Sequence, residues 1–317
     1  MMEAASRRGE SAPQCGGTIP GTGDRPAFTR WNSERAPLPV VLAVPHAGRD
    51  YPPDVIGQMR HPAEASLRLE DRFVDRLAQA VARETGAALL VAHAPRALID
   101  LNRAPDDIDW DMVAGAGPER RGGLAAGRRA RSGLGLVPRR LAGLGELWRQ
   151  RLTMADLEAR LAGIHRPYHD ALARTLERLR DRWGAALLID LHSMPPLGPK
   201  RGHGAAPDFV IGDRFGSSCD AALSAAALAY FAAAGHGAAH NRPYAGGYAL
   251  DRHAAPARGL HAVQVEVCRA AYLDPSMRET GPGLTPVVAV LSGLVRRLAA
   301  ELAGDLAAGR GLPQAAE

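Results

Sequence analysis

The sequence predicts an α/β sandwich of three layers with a mixed, mostly parallel sheet at its centre. Three observations carry this expectation. Short apolar runs bounded by turn residues recur along the chain, the pattern of strands buried on both faces. Segments of helical periodicity lie between them, so strands and helices alternate rather than segregate. No internal repeat or linker-like stretch interrupts the alternation, which predicts one domain over residues 37–307.

Taken in order, residues 1–36 are rich in Gly, Ser, Pro, Arg and Thr without periodicity, the composition of a mobile leader. Residues 38–44 read as the first strand, delivering His46 to the turn Pro45-His46-Ala47-Gly48. Leu69, Phe73, Val74, Leu77, Ala78 and Val81 recur at helical spacing, which places Glu70 and Asp71 in a first turn, where the macrodipole favours carboxylates. Residues 87–92 and 97–101 read as two further strands, the latter ending in Asn102-Arg103. From Trp110 to Gly135 only Gly, Arg and Ala predominate, and an excursion of that length is expected to be a functional loop or disordered.

A helical tract over 154–183 leads into Leu187-Leu188-Ile189-Asp190-Leu191-His192-Ser193-Met194, the expected central strand. Strand alternation puts Asp190 and His192 on one side near its carboxyl end, the edge at which α/β sheets bind ligands. Residues 207–213 predict another strand, 219–234 an Ala-rich helix and 241–248 a Gly/aromatic loop. Residues 261–267 alternate, so Gln264 and Glu266 share a face opposite the valines. A closing helix over 286–306 precedes a frayed tail at 308–317.

Composition narrows the function classes. Hydrophobic content of 46% with 23% charged residues is that of a soluble globular chain. The formal charge of +5 is small for 317 residues, and the basic residues cluster only within 120–131, so nucleic-acid binding is not expected. Three scattered cysteines argue against a disulfide framework and a thiolate zinc site. No apolar run approaches a membrane span and no secretory pattern opens the chain, so the default expectation is a cytoplasmic protein without membrane contact.

Polar residues stand where the apolar patterns stop: His46, Asp190 with His192, Glu266, and Asn102-Arg103. His46 and His192 are candidate imidazole ligands, with Glu70 or Asp71 as a third ligand. Two histidines, one carboxylate and an open position are the donor set of catalytic zinc, which lowers the pKa of bound water toward neutrality. The bland reading, packed or solvated imidazoles, covers most of the 11 histidines. Asp190 suits the support of a ligand imidazole. Glu266, set among valines, is neutralised, paired with an Arg such as Arg269, or a general base. Arg103 suits a substrate carboxylate, against a plain salt bridge to Asp106 or Asp107. Tyr244 and Tyr248 flank a Gly-Gly pair that lets backbone approach a ligand, unless the loop is only a tight turn.

Six motifs occur in one order: Pro45-His46-Ala47-Gly48 with Tyr51-Pro52; Asp71 with Val74-Asp75; Asp100-Leu101-Asn102-Arg103; Asp190-Leu191-His192-Ser193-Met194-Pro195; Asn241-Arg242-Pro243-Tyr244 with Gly246-Gly247-Tyr248; and Gln264-Val265-Glu266-Val267. Together they resemble the N-formylglutamate amidohydrolase family over about residues 38 to 275. The resemblance implies a fold akin to zinc carboxypeptidases and succinylglutamate desuccinylases. It also implies a zinc-dependent hydrolase of linear amides, typically N-formyl-L-glutamate in histidine breakdown. His46 and His192 match the ligand histidines, Glu266 the general base, and Arg103 after Asn102 the substrate-carboxylate grip, with Arg242 and Arg252 as further candidates. One Zn²⁺, or another divalent ion, is expected.

Two departures stand out. Arg49 occupies the third position after His46, where carboxypeptidases carry a glutamate ligand, so Asp71 is favoured over Glu70 as the metal carboxylate. Ala254 replaces a glycine expected in the segment Leu250-Asp251-Arg252-His253-Ala254, which bears on acyl specificity. The alternatives are a zinc deacylase or carboxypeptidase for another N-acyl amino acid or small peptide and, more remotely, a non-enzymatic binding protein with a basic loop.

Overall fold

The hydrophobic runs become strands of one eight-stranded sheet in a computed structural model that describes residues 12–117, 127–199 and 206–307. In chain order they are β1 (Gln14–Gly16), β2 (Phe28–Trp31), β3 (Val40–Val44), β4 (Ala88–Ala92), β5 (Ala186–Met194), β6 (Phe209–Gly212), β7 (Ala238–His240) and β8 (Leu260–Cys268). Across the sheet they run β1-β2-β4-β3-β5-β8-β6-β7. The four central strands β4, β3, β5 and β8 are mutually parallel, whereas β2 and β6 run against their inner neighbours. Two more pairs of two-residue strands lie outside the sheet.

The helices are α1 (Pro53–Gln58), α2 (Pro62–Leu69), α3 (Val74–Thr85), α4 (Met154–Arg160), α5 (Arg166–Trp183), α6 (Ala221–Ala233), α7 (Tyr248–His253) and α8 (Leu284–Ala307). Two cores sandwich the sheet. On one face Val41, Ala43, Ala186, Leu188 and Ala262 pack with Leu172, Leu176 and Leu179 of α5. On the other, Val40, Leu42, Leu187, Ile189, Leu191 and Val265 pack with side chains of α3, α6 and α8. This is the expected α/β sandwich with a mixed, mostly parallel sheet. Among the described residues no helix is long and apolar enough to cross a membrane.

Three expectations are corrected. Residues 12–36 are not a mobile leader: they supply β1 and β2, bury Ile19 completely, and dock where Thr18 N–H donates to Gly163 O at 2.8 Å. The helical tract 154–183 against which they dock forms as expected; it widens into a π turn at Leu161–His165, where a Cβ on Gly163 would meet Thr18 O at 2.5 Å. Residues 97–101 are turn, not strand. Their side chains are buried, but Asp100 N–H donates to Leu136 O and Arg103 N–H to Asp100 O, which leaves no ladder. An apolar run reports burial; it cannot by itself distinguish a strand from a buried turn. Finally, the helix expected to begin at Leu69 is two helices. Leu69 ends α2 and Phe73, at φ 59°, precedes α3, so Glu70 and Asp71 lie in the bend between them. Residues 1–11, part of the Arg-rich excursion (118–126), and the tail 308–317 lie outside the described residues.

The turns after β6 and β7 are knotted by Asp213. Its buried carboxylate accepts from Asn241 Nδ2 at 2.7 Å, Ser224 Oγ at 2.7 Å, His240 Nε2 at 2.8 Å and Gly216 N–H at 2.9 Å. Burial opposes its ionisation, but the donors, Ser224 and Asn241 foremost, bring the carboxyl down to about 2. A folded-state value below the unfolded one gives stability that is present above about pH 4 and lost as pH falls toward 2. Asp213→Ala should therefore lower unfolding free energy by about 3 kcal/mol at pH 7, with the deficit shrinking toward pH 2 in urea titrations. An equal deficit at both ends would deny the carboxylate this role.

Candidate active site

β5 is apolar on both faces over its first half and polar on one face over its second. Ala186 and Leu188 meet the α5 core, and Asp190 and His192 follow on the same side. The parallel register with β8 sets Gln264 beside Asp190 and Glu266 beside His192. All four are buried at the carboxyl end of the sheet. His46 arrives from the turn after β3, and Asp71 from the α2–α3 bend, whose N–H donates to His46 O at 2.8 Å.

Asp71 Oδ2 lies 2.9 Å from His192 Nδ1 and 3.6 Å from His46 Nδ1. One donor atom from each of these three residues lies within 4.8 Å of the other two. The far nitrogens are both held: His46 Nε2 donates to Asp100 Oδ1 at 2.7 Å and His192 Nε2 to Asp190 Oδ2 at 2.9 Å. With Nε2 protonated and held, Nδ1 is the nitrogen left to bind a cation. His46 Nδ1 is buried with no hydrogen-bond partner among the described residues. Two imidazoles held from behind and one carboxylate, converging in a buried site, fit a divalent ion.

Glu70, the other carboxylate considered for the ligand set, turns away toward Arg72, at 3.1 Å. Arg269 clamps the Asp71 side instead, reaching Asp71 Oδ1 at 3.3 Å, Ser193 Oγ at 3.0 Å and Glu70 O at 2.5 Å. It therefore does not neutralise Glu266.

The electrostatics follow from burial and partners. Burial opposes charge on Asp71, yet the hydrogen bond from His192 and the nearby His46 imidazole hold its carboxyl well below the ordinary range. Asp100 is likewise held low against burial, by Arg96 and His46. Burial disfavours the His192 cation, but Asp190 and Asp71 hold it well above the usual histidine value. A cation held by Nδ1 would have to replace that proton, so binding there would be coupled to proton release. Glu266 is different: burial, reinforced by the charges of Asp71 and Asp190 and opposed by His192, pushes its carboxyl up to about 7. A carboxylate poised near neutrality is matched to general acid–base work.

His46, Asp71, His192 and Glu266 floor a cleft of about 330 Å³. Of the residues expected to bind substrate, Arg103 and Tyr244 line it, as does Asn102. Asn102 is a knot more than a contact: its Oδ1 accepts from Ala249 N–H at 2.9 Å, and its Nδ2 sits 3.3 Å from His192 Nε2 and 3.4 Å from Gln264 Oε1. Tyr248 lines only an adjoining outer cleft. Arg242 and Arg252 are exposed and line neither cleft. Arg252 instead reaches Tyr248 Oη at 3.1 Å and Asp170 at 3.7 Å.

Sequence reasoning placed Asp100 in a family motif and on a strand but gave it no role, and it missed the cleft arginines Arg68, Arg96 and Arg129. It also missed three histidines behind the Asn102-Arg103 turn. His165 Nε2 donates to Arg103 O at 2.9 Å, His169 Nε2 to Leu101 O at 2.9 Å, and His253 Nε2 to His169 Nδ1 at 3.0 Å. Burial depresses all three, His253 to about 3, so neutral tautomers fix the turn. The Pro-Tyr-His spacing at the start of α5 was the available signal.

The sequence model described as N-formylglutamate amidohydrolase matches residues 38–273. The chain belongs to the N-formylglutamate amidohydrolase family. His46, Asp71, His192 and Glu266 all fall within the matched span. N-formylglutamate deformylase of Pseudomonas aeruginosa is 33% identical over 244 residues, covering 76% of this chain and 84% of that protein. N-formylglutamate deformylase of Pseudomonas putida is 34% identical over 240 residues, covering 75% and 82%. The crystal structure of N-formylglutamate amidohydrolase from Ralstonia eutropha JMP134 matches with a TM-score of 0.77 at 32% identity, covering 87% of this chain and 98% of that one.

The raised value of Glu266 has a sign that can be measured. Its folded-state pKa lies above the unfolded one, so its contribution to stability is intact at low pH and lost as pH rises from about 4.3 through 7. In EDTA-treated protein, Glu266→Gln should gain stability relative to wild type between pH 5 and 8, by up to about 3 kcal/mol in urea titrations. A difference independent of pH would mean that burial does not hold the proton on Glu266.

Proposed function

We propose that the chain is a metal-dependent amidohydrolase that cleaves N-formyl-L-glutamate to formate and L-glutamate. The observation that carries the reading is the convergence of His46 Nδ1, His192 Nδ1 and Asp71 on one point in a cleft that also holds Glu266. The family and the named activity of relatives one-third identical over most of the chain support the choice of substrate.

His46, Asp71 and His192 would hold one divalent ion, with zinc favoured by the two nitrogen donors and single carboxylate. Bound there, such an ion supplies Lewis acidity: it polarises the acyl oxygen and eases deprotonation of water. Asp100 and Asp190 keep both imidazoles in the tautomer that leaves Nδ1 available. Glu266 takes a proton from the attacking water as oxygen bonds to the formyl carbon. It returns that proton to the amide nitrogen as the C–N bond breaks, so formate and the free amine leave with the proton count closed. Arg103, held by Leu134 O and Asn102 O, offers its remaining donors to a substrate carboxylate.

Complete chelation should abolish formylglutamate hydrolysis and re-addition of Zn²⁺ should restore it; turnover surviving in demonstrably metal-free protein would refute the reading. Glu266→Gln should keep the ion while lowering kcat by about 10²- to 10⁴-fold. Asp100→Asn, which removes the carboxylate behind His46, should weaken metal affinity by about 10- to 100-fold in competition titrations with a chromophoric chelator.

A further inference from the structure

Five guanidiniums line the inner cleft: Arg68, Arg96, Arg103, Arg129 and Arg269. Their commitments differ. Arg269 is taken up by Asp71, Ser193 and two backbone carbonyls. Arg96 is bound to Asp100 through Nε at 2.9 Å and Nη2 at 2.8 Å. Arg103 gives two donors to backbone carbonyls and stands 3.9 Å from the same carboxylate. Arg68 gives one donor to Ala142 O at 2.8 Å. The Arg129 guanidinium is bonded to none of the described residues and is exposed to the cleft mouth.

Arg129 is nonetheless presented by an anchored element. It sits in the single helical turn Arg128–Arg131, where Ala130 is fully buried and its N–H donates to Asp107 Oδ1 at 3.3 Å. The turn closes through Leu134 N–H to Arg129 O at 2.9 Å, and Leu134 O is the carbonyl that receives Arg103 Nε. The two arginines are therefore held on one short loop system, facing the same cavity. Arg129 also lines the outer cleft, at its junction with the inner one. Like charges brought together without an intervening anion repel, and the arrangement is relieved when a carboxylate enters between them. Burial and the charges of Arg96 and Arg129, against Asp100, already depress Arg103.

We infer that Arg129 is a specificity-determining residue that binds the side-chain carboxylate of an acidic N-acyl amino acid, while Arg103 takes its α-carboxylate. This assignment rests on the reading of the site as a formylglutamate hydrolase and deepens it. Arg103 adjoins Asn102, whose side chain touches His192, and is the part-buried guanidinium, so it serves the carboxylate next to the scissile amide. Arg129, more exposed and at the junction, serves the distal one.

The test compares N-formyl-L-glutamate with N-formyl-L-glutamine, which differ only in that distal group, in wild type, Arg129→Gln and Arg129→Lys. Wild type should favour the glutamate substrate, and Arg129→Gln should collapse the ratio of kcat/KM values by about 10- to 100-fold, mainly through a higher KM for formylglutamate. Arg129→Lys should retain part of the preference, because the charge remains while the fork is lost. A ratio unchanged in Arg129→Gln, with both substrates losing the same factor, overturns the assignment. So does a wild type without preference. A wild type that cleaves neither substrate overturns the functional reading and this assignment with it.

Discussion

Each imidazole at the centre of this protein has one nitrogen committed to a buried carboxylate, and the rest of the site depends on that constraint. Asp100 holds His46 and Asp190 holds His192, both through Nε2, so both Nδ1 atoms face Asp71. Without the two supporting carboxylates, either ring is free to rotate or to change tautomer, and the donor set disperses. The constraint is itself set by strand register. Asp190 and His192 are two residues apart on β5, so one strand supplies an imidazole and its supporting carboxylate on the same face.

Concentrating Asp71, Asp100, Asp190 and Glu266 in one buried region is unfavourable unless each charge is met. Arg96 meets Asp100, Arg269 meets Asp71, and His192 meets both Asp71 and Asp190. Among the described residues Glu266 receives only an amide hydrogen bond, from Gln264 at 2.9 Å, and accordingly keeps its proton up to about pH 7. The acids thereby divide into three met by cations and one left able to exchange a proton. The difference comes from which carboxylates have a cationic partner.

Much of this was readable in the chain. The switch in β5 from apolar on both faces to polar on one placed His192 and Asp190, and the alternation of β8 placed Glu266 beside them. His46 announced itself by ending an apolar run in a Gly/Pro turn. What escaped did so for physical reasons. Asp100 follows a buried apolar run that folds as a turn, and only tertiary hydrogen bonds, such as that to Leu136 O, distinguish the two. The bend at Glu70–Phe73 breaks a helical period that was continuous in sequence, because Asp71 N–H is drawn to His46 O and Phe73 adopts a positive φ. Arg242 and Arg252 flank the right loop yet stay outside both clefts; spacing along a chain does not say which way a long side chain runs.

Asn102 shows how fold and site come to be one structure. Its side chain joins four elements at once: its own turn, β5 through Asp190 and His192, β8 through Gln264, and α7 through Ala249 N–H. A Cβ on Gly247 would meet Asn102 Oδ1 at 2.6 Å, so a glycine is required for the Gly/aromatic loop to close over it. His165 and His169 hold the same turn from the opposite side, His165 from a π turn that the N-terminal segment packs against. The turn bearing Arg103 is therefore fixed from both sides, by the π turn and α5 on one and by β5, β8 and α7 on the other, and its guanidinium is presented to the cleft by a backbone with little freedom to move.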